Sequence, residues 1–453
     1  MLRIKSLPVT LGDRKEFATK AAIYWKSGGT LSVHHSDRKA ELQSIPRAMR
    51  MLVCAAIAAV FLPPAHAPAQ TQADSAHISQ FLLGADISAL DSPFTRRPAS
   101  ASANQPAAAN RPSSGFAFRP MPLYQENGKA GDELSILRRH GWNAYRIRVF
   151  VSPVRQAPNN TLENAIPLAR KIKESGAILI LDLHFSDTWS DPKHQEIPIA
   201  WRGMGIKALA RQWQTHARDT VKAFKDAGAR PDIVQVGNEI TRGTAWPLAE
   251  LQVPGWNQPD APQPVLPQSS DQVKLWKNLI LLLKAGERGV NEGAGHIRPQ
   301  IAIHIDQGGH WDKTEWFFDH LNAAHVHYDI IAESFYPPWR HGTLDDLWDN
   351  MRHCAKKYPG KKFLVMETGY NPSHEPDNKD MLWPVTSEGR LQYMVDLVNT
   401  VRKAPNGMGV IYWAPERDFW NADGTPGPTV FTMDRLAALA KSPESHAPSA
   451  VSP

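Results

Sequence analysis

Asp232-Ile233-Val234-Gln235-Val236-Gly237-Asn238-Glu239 and Lys362-Phe363-Leu364-Val365-Met366-Glu367 share one design: a short apolar run that ends in a carboxylate. Continuously apolar strands belong to parallel sheets that are covered on their outer face. Six more runs have this character, at 81–88, 143–150, 177–184, 300–306, 328–336 and 409–413. Amphipathic stretches lie between several of them; Leu209, Trp213 and Thr220 to Phe224 keep helical spacing. Gly141, Gly176 and Gly228 stand where such helices should stop. Eight strand–helix units in about 360 residues predict the α/β class, as a (β/α)₈ TIM barrel forming a single catalytic domain. A doubly wound sheet is the alternative, but no Gly-rich phosphate loop follows the first strand.

A barrel of this kind builds its active site at the C-terminal ends of its strands. Polar and aromatic residues collect there: Asp86, Arg146, Arg148, His184 with Asp187 and Trp189, Asn238, Glu239, His304, Asp306, Tyr336, Trp339, Glu367 and Trp413. Two carboxylates facing one pocket can cleave a glycosidic bond, one protonating the leaving oxygen while the other attacks or activates water. Arg146 and Arg148 share one face of a strand. An inward arginine beside a carboxylate keeps it ionised, although a structural ion pair is the ordinary alternative. His184-Phe185-Ser186-Asp187 has no second cluster at ligand spacing, so a contact to a sugar hydroxyl is expected there and no metal. Asp377-Asn378-Lys379-Asp380 reads as a solvated acidic turn. Trp413, directly after an apolar strand, is the best-placed stacking platform; Trp189 and Trp339 are further candidates, with loop packing as the alternative.

The 453 residues are 42% hydrophobic, enough for a sizeable core, and include 15 tryptophans, enough to line a sugar cleft as well as that core. The net charge of +6 points toward polyanions until its distribution is considered. Residues 1–69 hold 10 Lys+Arg and 4 Asp+Glu, which leaves 41 of each for the rest of the chain. No nucleic-acid partner is expected. Arg47 and Arg50 precede the apolar run Met51 to Leu62, and small residues follow through Ala69. This order predicts a secretory signal over 49–69, and a secreted or periplasmic protein free of the membrane once the signal is cleaved. The run is too short for a helix that spans a bilayer; the alternative to a cleaved signal is an uncleaved N-terminal anchor. Residues 1–48 resemble no domain and read as an upstream extension, with translation starting at Met49 or Met51. The barrel is expected over 70–440, with a Ser/Pro/Ala-rich surface insertion at 91–115, a Pro/Gln-rich loop at 251–270 and a disordered tail at 441–453. Cys54 leaves with the signal, so Cys354 stands alone without an internal disulfide.

At these residues the chain resembles the family 53 glycoside hydrolases, endo-β-1,4-galactanases from a large clan of barrel enzymes with paired catalytic glutamates. The resemblance runs from about Phe81 to Trp420. It is carried by Gly84 to Ser88, Arg146 to Pro153, His184 to Pro192, Gln235 to Ile240, Tyr336-Pro337-Pro338-Trp339 with His341 to Leu344, and Glu367-Thr368, in this order. It implies Glu239 as general acid/base, Asn238 against the sugar beside the cleaved bond, and Glu367 as nucleophile, helped to stay ionised by Arg148. It further implies a retaining mechanism, with carboxyl groups about 5–5.5 Å apart. The acid must hold its proton near neutral pH, so its pKa must be raised. Substrate contacts are expected from Asp86, Arg148, His184, Trp189, Asn238, Asp306, Tyr336, Trp339 and Trp413. The implied partner is a polysaccharide, β-1,4-galactan or arabinogalactan, cut by a monomer without a cofactor. A same-clan barrel acting on another β-linked glycan and a non-catalytic sugar-binding barrel are the other readings; the presence of both glutamates counts against the last. Departures from the family pattern fall at Glu333, Phe335, the inserted Arg340, Ala414 and the 91–115 insertion. They are expected around the cleft, where they would bear on subsite preference.

Overall fold

The structure, a computed structural model, describes residues 78–88, 131–153, 160–255, 269–339, 341–370, 380–384, 386–419 and 433–441, with short strands at 22–26, 30–35, 38–42, 124–126 and 129–131. The 49–69 signal region, the 91–115 insertion, Arg340, Asp377 to Lys379 and the tail beyond Lys441 lie outside these residues. The chain divides into two units, 1–72 and 73–453. In the first, Ala22–Lys26, Thr30–His35 and Arg38–Leu42 pair antiparallel in chain order.

In the second, eight parallel strands close into a barrel in chain order. They are β1 Leu82–Asp86, β2 Ala144–Val149, β3 Ile178–Leu183, β4 Ile233–Val236, β5 Gln300–Ile305, β6 Ile330–Phe335, β7 Lys362–Thr368 and β8 Gly407–Trp413. Each corresponds to one of the predicted runs. The helices that follow them are α1 Glu133–Arg139, α2 Leu162–Glu174, α3 Ile206–Asp226, α4 Ser269–Ala294, α5 Trp311–Ala323, α6 Leu344–Lys357, α7 Ser387–Lys403 and α8 Met433–Lys441. The threonines Thr161, Thr343 and Thr386 cap α2, α6 and α7, each accepting from a backbone N–H of the first turn. Such a cap contributes about 1 kcal/mol. Gly141, Gly176 and Gly228 take positive φ just past α1, α2 and α3, as expected of helix stops.

Side chains alternate across each strand. Leu82, Ala144, Ile180, Ile233, Ala302, Ala332 and Leu364 form an apolar plug inside the barrel. Their outward neighbours Leu83, Tyr145, Leu181, Val234, Ile303 and Val365 join the core beneath the helices. Two residues further toward the C-terminal ends, the inward positions become Arg146, Asp182, Gln235, His304 and Ser334, all buried. The sequence thus switches from an apolar to a polar layer within one pleat.

Strict alternation would point Glu367 outward, since Leu364 and Met366 both lie in the inner core. β7 avoids this with a bulge: Glu333 of β6 pairs with Val365, but the next residue, Ser334, pairs with Glu367. The extra Met366 turns the carboxylate back into the barrel. β4 ends differently. Gly237 has φ +87 and Glu239 itself has φ +47. A Cβ on Gly237 would lie 2.9 Å from Cγ2 of Ile240, so this turn requires glycine.

Glu333 corrects an expectation. It points outward from β6, away from the cleft, and is fully buried between β6, α5 and α6. Thr314 Oγ1 donates to it at 2.9 Å and Asn350 Nδ2 at 2.9 Å. Asp380, read as part of a solvated turn, is buried too.

Candidate active site

Arg146, on β2, is the hub. A guanidinium has five N–H groups. Nε donates to Gln235 Oε1 at 3.0 Å; Nη1 donates to Asp86 Oδ2 at 2.8 Å and Glu367 Oε1 at 2.7 Å; Nη2 donates to Asp182 Oδ2 at 2.7 Å and Asn238 Oδ1 at 2.7 Å. All five hydrogens are used. Burial opposes the charge of Arg146, but Asp182, Glu367 and Asp86 outweigh it and hold the group above its ordinary range. Burial likewise opposes the charge on Asp182, yet Arg146 and then His184 bring that carboxyl down to about 2.

Glu367 and Glu239 sit in unequal surroundings. Burial raises Glu367 above its ordinary value, against the pull of Arg146 chiefly and of Arg148 after it. The Tyr336 hydroxyl donates to its other oxygen at 3.2 Å. Glu239 Oε1 lies 2.6 Å from the hydroxyl oxygen of Ser334. Burial, then the charge of Glu367, then that of Asp306 push Glu239 well above the carboxylate range. A carboxyl that keeps its proton beside one pinned by a cation is the division of labour that acid and nucleophile require.

The arginine against Glu367 is Arg146, whereas the sequence pointed to Arg148. Arg148 contacts Asp86 Oδ2 at 3.3 Å and lies over the ring of Trp189 at 4.2 Å. Asp86 is itself consumed by the two arginines and by Ser88, whose N–H and hydroxyl donate to Oδ1 at 3.1 and 2.7 Å. His184 turns inward as well. Its Nδ1 accepts from the Ser190 N–H at 3.1 Å, and its Nε2 lies 2.8 Å from Asp182 Oδ2. A sugar hydroxyl would have to displace one of these contacts to reach a His184 nitrogen. Asn238 Nδ2 donates to the Ser190 carbonyl at 2.7 Å. Asp306 is buried beside Glu239, accepts from the Thr241 hydroxyl and from Gln307 Nε2, and is pushed up to about 6 by burial.

The aromatic residues line the same end of the barrel. Trp189 meets Trp413 edge-on, with ring centroids 6.5 Å apart, and Trp413 ends β8 opposite Asp86. Trp339 follows Tyr336 on the β6–α6 loop, 4.5 Å from its ring, and is 60% exposed. An indole that open beside a carboxylate pair is a platform for an apolar sugar face.

Asp182, Gln235 and Ser334 complete the network without having been singled out from the sequence. Asp182 and Gln235 had a signal: each is the one polar residue in an otherwise apolar run, Ile-Leu-Ile-Leu-Asp-Leu and Ile-Val-Gln-Val. Ser334 had none, since it sits next to Glu333 in Ile-Ile-Ala-Glu-Ser-Phe. Among the described residues no group of three or more His, Cys, Asp or Glu side chains is arranged to hold a metal ion.

Comparison with known proteins agrees with this chemistry. The sequence profile described as Glycosyl hydrolase family 53 matches residues 83–437. An uncharacterised protein encoded in the bgaB 5′ region of Niallia circulans is 35% identical over 313 residues, covering 65% of this chain and 80% of its own length. The arabinogalactan endo-β-1,4-galactanase of Humicola insolens is 31% identical over 301 residues, covering 64% of this chain and 82% of its own. A fungal β-1,4-galactanase structure superposes with a TM-score of 0.60 at 28% identity, covering 70% of this chain and 94% of its own.

Proposed function

We propose that this chain, which belongs to glycosyl hydrolase family 53, is an endo-β-1,4-galactanase that acts by double displacement, with Glu367 as nucleophile and Glu239 as acid/base. The observation that carries the assignment of roles is the 2.7 Å contact of Arg146 with Glu367, set against the raised proton affinity of Glu239. In the first step a Glu367 oxygen attacks the anomeric carbon, the glycosidic C–O bond breaks, and the Glu239 proton goes to the departing oxygen. In the second, water attacks the glycosyl–enzyme ester, gives its proton to Glu239 and frees Glu367. Arg146 and the Tyr336 hydroxyl bind the carboxylate before attack and after release, so little reorganises as its charge is spent and restored.

The substrate we propose is the β-1,4-galactan backbone of galactan or arabinogalactan, the chemistry named for the Humicola relative. Exposed Trp339 and the Trp189–Trp413 pair supply faces for successive sugars. The test is a substrate panel. Galactan should be cut to a ladder of oligomers while mannan, xylan and cellulose stay intact. Preferred cleavage of another glycan would favour the same-clan alternative, and free galactose alone from the outset would refute endo action. Export is proposed on the apolar run 51–62, with a mature N-terminus near Pro68 or Gln70. Terminal sequencing of secreted protein that finds Met1 would sink that part.

A further inference from the structure

Asn238 cannot be turned end for end. Its Oδ1 receives Arg146 Nη2, which can only donate, and its Nδ2 faces the Ser190 carbonyl, which can only accept. His304 Nδ1 lies 2.8 Å from that same Oδ1, so Nδ1 must carry a hydrogen. Gln235 Nε2 also lies 3.1 Å from this nitrogen, but nearer acceptors take its hydrogens. Gln235 Oε1 takes Arg146 Nε, and the two hydrogens of Nε2 are placed by Gly237 O at 3.0 Å and Asn238 Oδ1 at 2.9 Å. The His304 ring is neutral: burial and then Arg146 disfavour a second proton, against the weaker pull of Asp182. A neutral ring with its hydrogen on Nδ1 offers a lone pair at Nε2. That lone pair faces Ser334 Oγ at 3.0 Å and takes its hydrogen. A hydroxyl has only one. Toward Glu239 Oε1, 2.6 Å away, Ser334 therefore presents a lone pair.

We infer that Ser334 accepts a hydrogen bond from the Glu239 carboxyl and does not donate one, in a polarity imposed by Arg146 through Asn238 and His304. The inference rests on the proposed role of Glu239 as the acid. Ser334 and His304 are then positioning residues for its proton. Protonated Glu239 completes the chain of donors and acceptors, whereas ionised Glu239 meets an oxygen with no hydrogen to give. The same opposition makes ionised Glu239 a keener base for the water of the second step. This adds to the effects of the groups that face Glu239: Glu367 on β7, Asp306 just after β5, Tyr336 after β6 and Asp191 after β3. His304 is faced by Arg146 on β2, and by Asp182 and His184 on and just after β3.

The experiment is the pH profile of kcat/KM on galactan, whose alkaline limb reports loss of the acid proton in the free enzyme. Ser334→Ala removes the acceptor and should move that limb down by about one pH unit, the worth of one hydrogen bond at a charged group. Ser334→Thr restores a hydroxyl and should restore the limb. His304→Met frees Ser334 to donate and should also lower it. A limb that stays or rises in Ser334→Ala, or rises in His304→Met, means the hydroxyl donates to ionised Glu239, and overturns the inference. Failure of the underlying assignment looks different: Glu239→Ala would turn galactan over at the wild-type rate.

Discussion

Nη1 of Arg146 lies 2.7 Å from Oε1 of Glu367 and shares its hydrogens with Asp86. One buried cation therefore ties the β1, β2, β3, β4 and β7 ends together while it pins the nucleophile.

Arg146→Lys keeps the charge but offers three donors on a flexible stem, so at most three of the five contacts survive. We expect kcat to fall by roughly a hundredfold or more, as when a preorganised donor is removed from an active site. Arg146→Met leaves buried Asp182 and Glu367 without their cation and Asp86 with Arg148 alone, and should cost about 3–5 kcal/mol of stability. Steady-state kinetics and denaturant melts of the two variants separate these effects. Unchanged kcat in Arg146→Lys would mean that charge alone suffices.

Trp339 is 60% exposed, so its removal should barely touch the fold. Trp339→Ala should raise KM on polymeric galactan about tenfold, with Tm unchanged, because a stacking contact is worth on the order of 1–2 kcal/mol. Unaltered KM would assign the indole to loop packing.

Two buried carboxyls give stability opposite pH slopes. Asp182 is depressed to about 2, so its contribution is present above its unfolded value of about 3.9 and is lost as pH falls toward 2. Glu333 is raised well above its ordinary value, by burial first. Its contribution is full below the unfolded value and is lost as pH rises through the folded one. Glu333→Gln keeps an acceptor for Asn350 and cannot ionise. Its Tm should match wild type in mild acid and exceed it by a few degrees on the alkaline side. Melting curves across pH decide, and a gap independent of pH would exclude ionisation of Glu333.

The barrel could be read from eight apolar runs because a covered parallel strand has a strong compositional signature. Both glutamates could be placed because they end such runs. What the sequence could not show is orientation. Period-two alternation sends Glu367 outward, and only the bulge at Met366 brings it in. Arg146 and Arg148 share parity, so alternation cannot tell which one reaches Glu367; that depends on the closure of β1, β2 and β7 around them. Glu333, beside Ser334, is one residue out of phase, which moved it from the expected cleft into the helix layer. Ser334 matters only through neighbours on β4 and β5, and no local pattern reports them.

The most direct test of the central claim is Glu367→Ala on galactan, with and without azide. The account predicts no new reducing ends from the variant alone. With azide and an aryl galactoside bearing a very good leaving group, it predicts partial rescue that yields a galactosyl azide of inverted configuration, because the anion occupies the place of the missing carboxylate while wild type retains configuration. Wild-type-like galactan cleavage by Glu367→Ala would contradict the account.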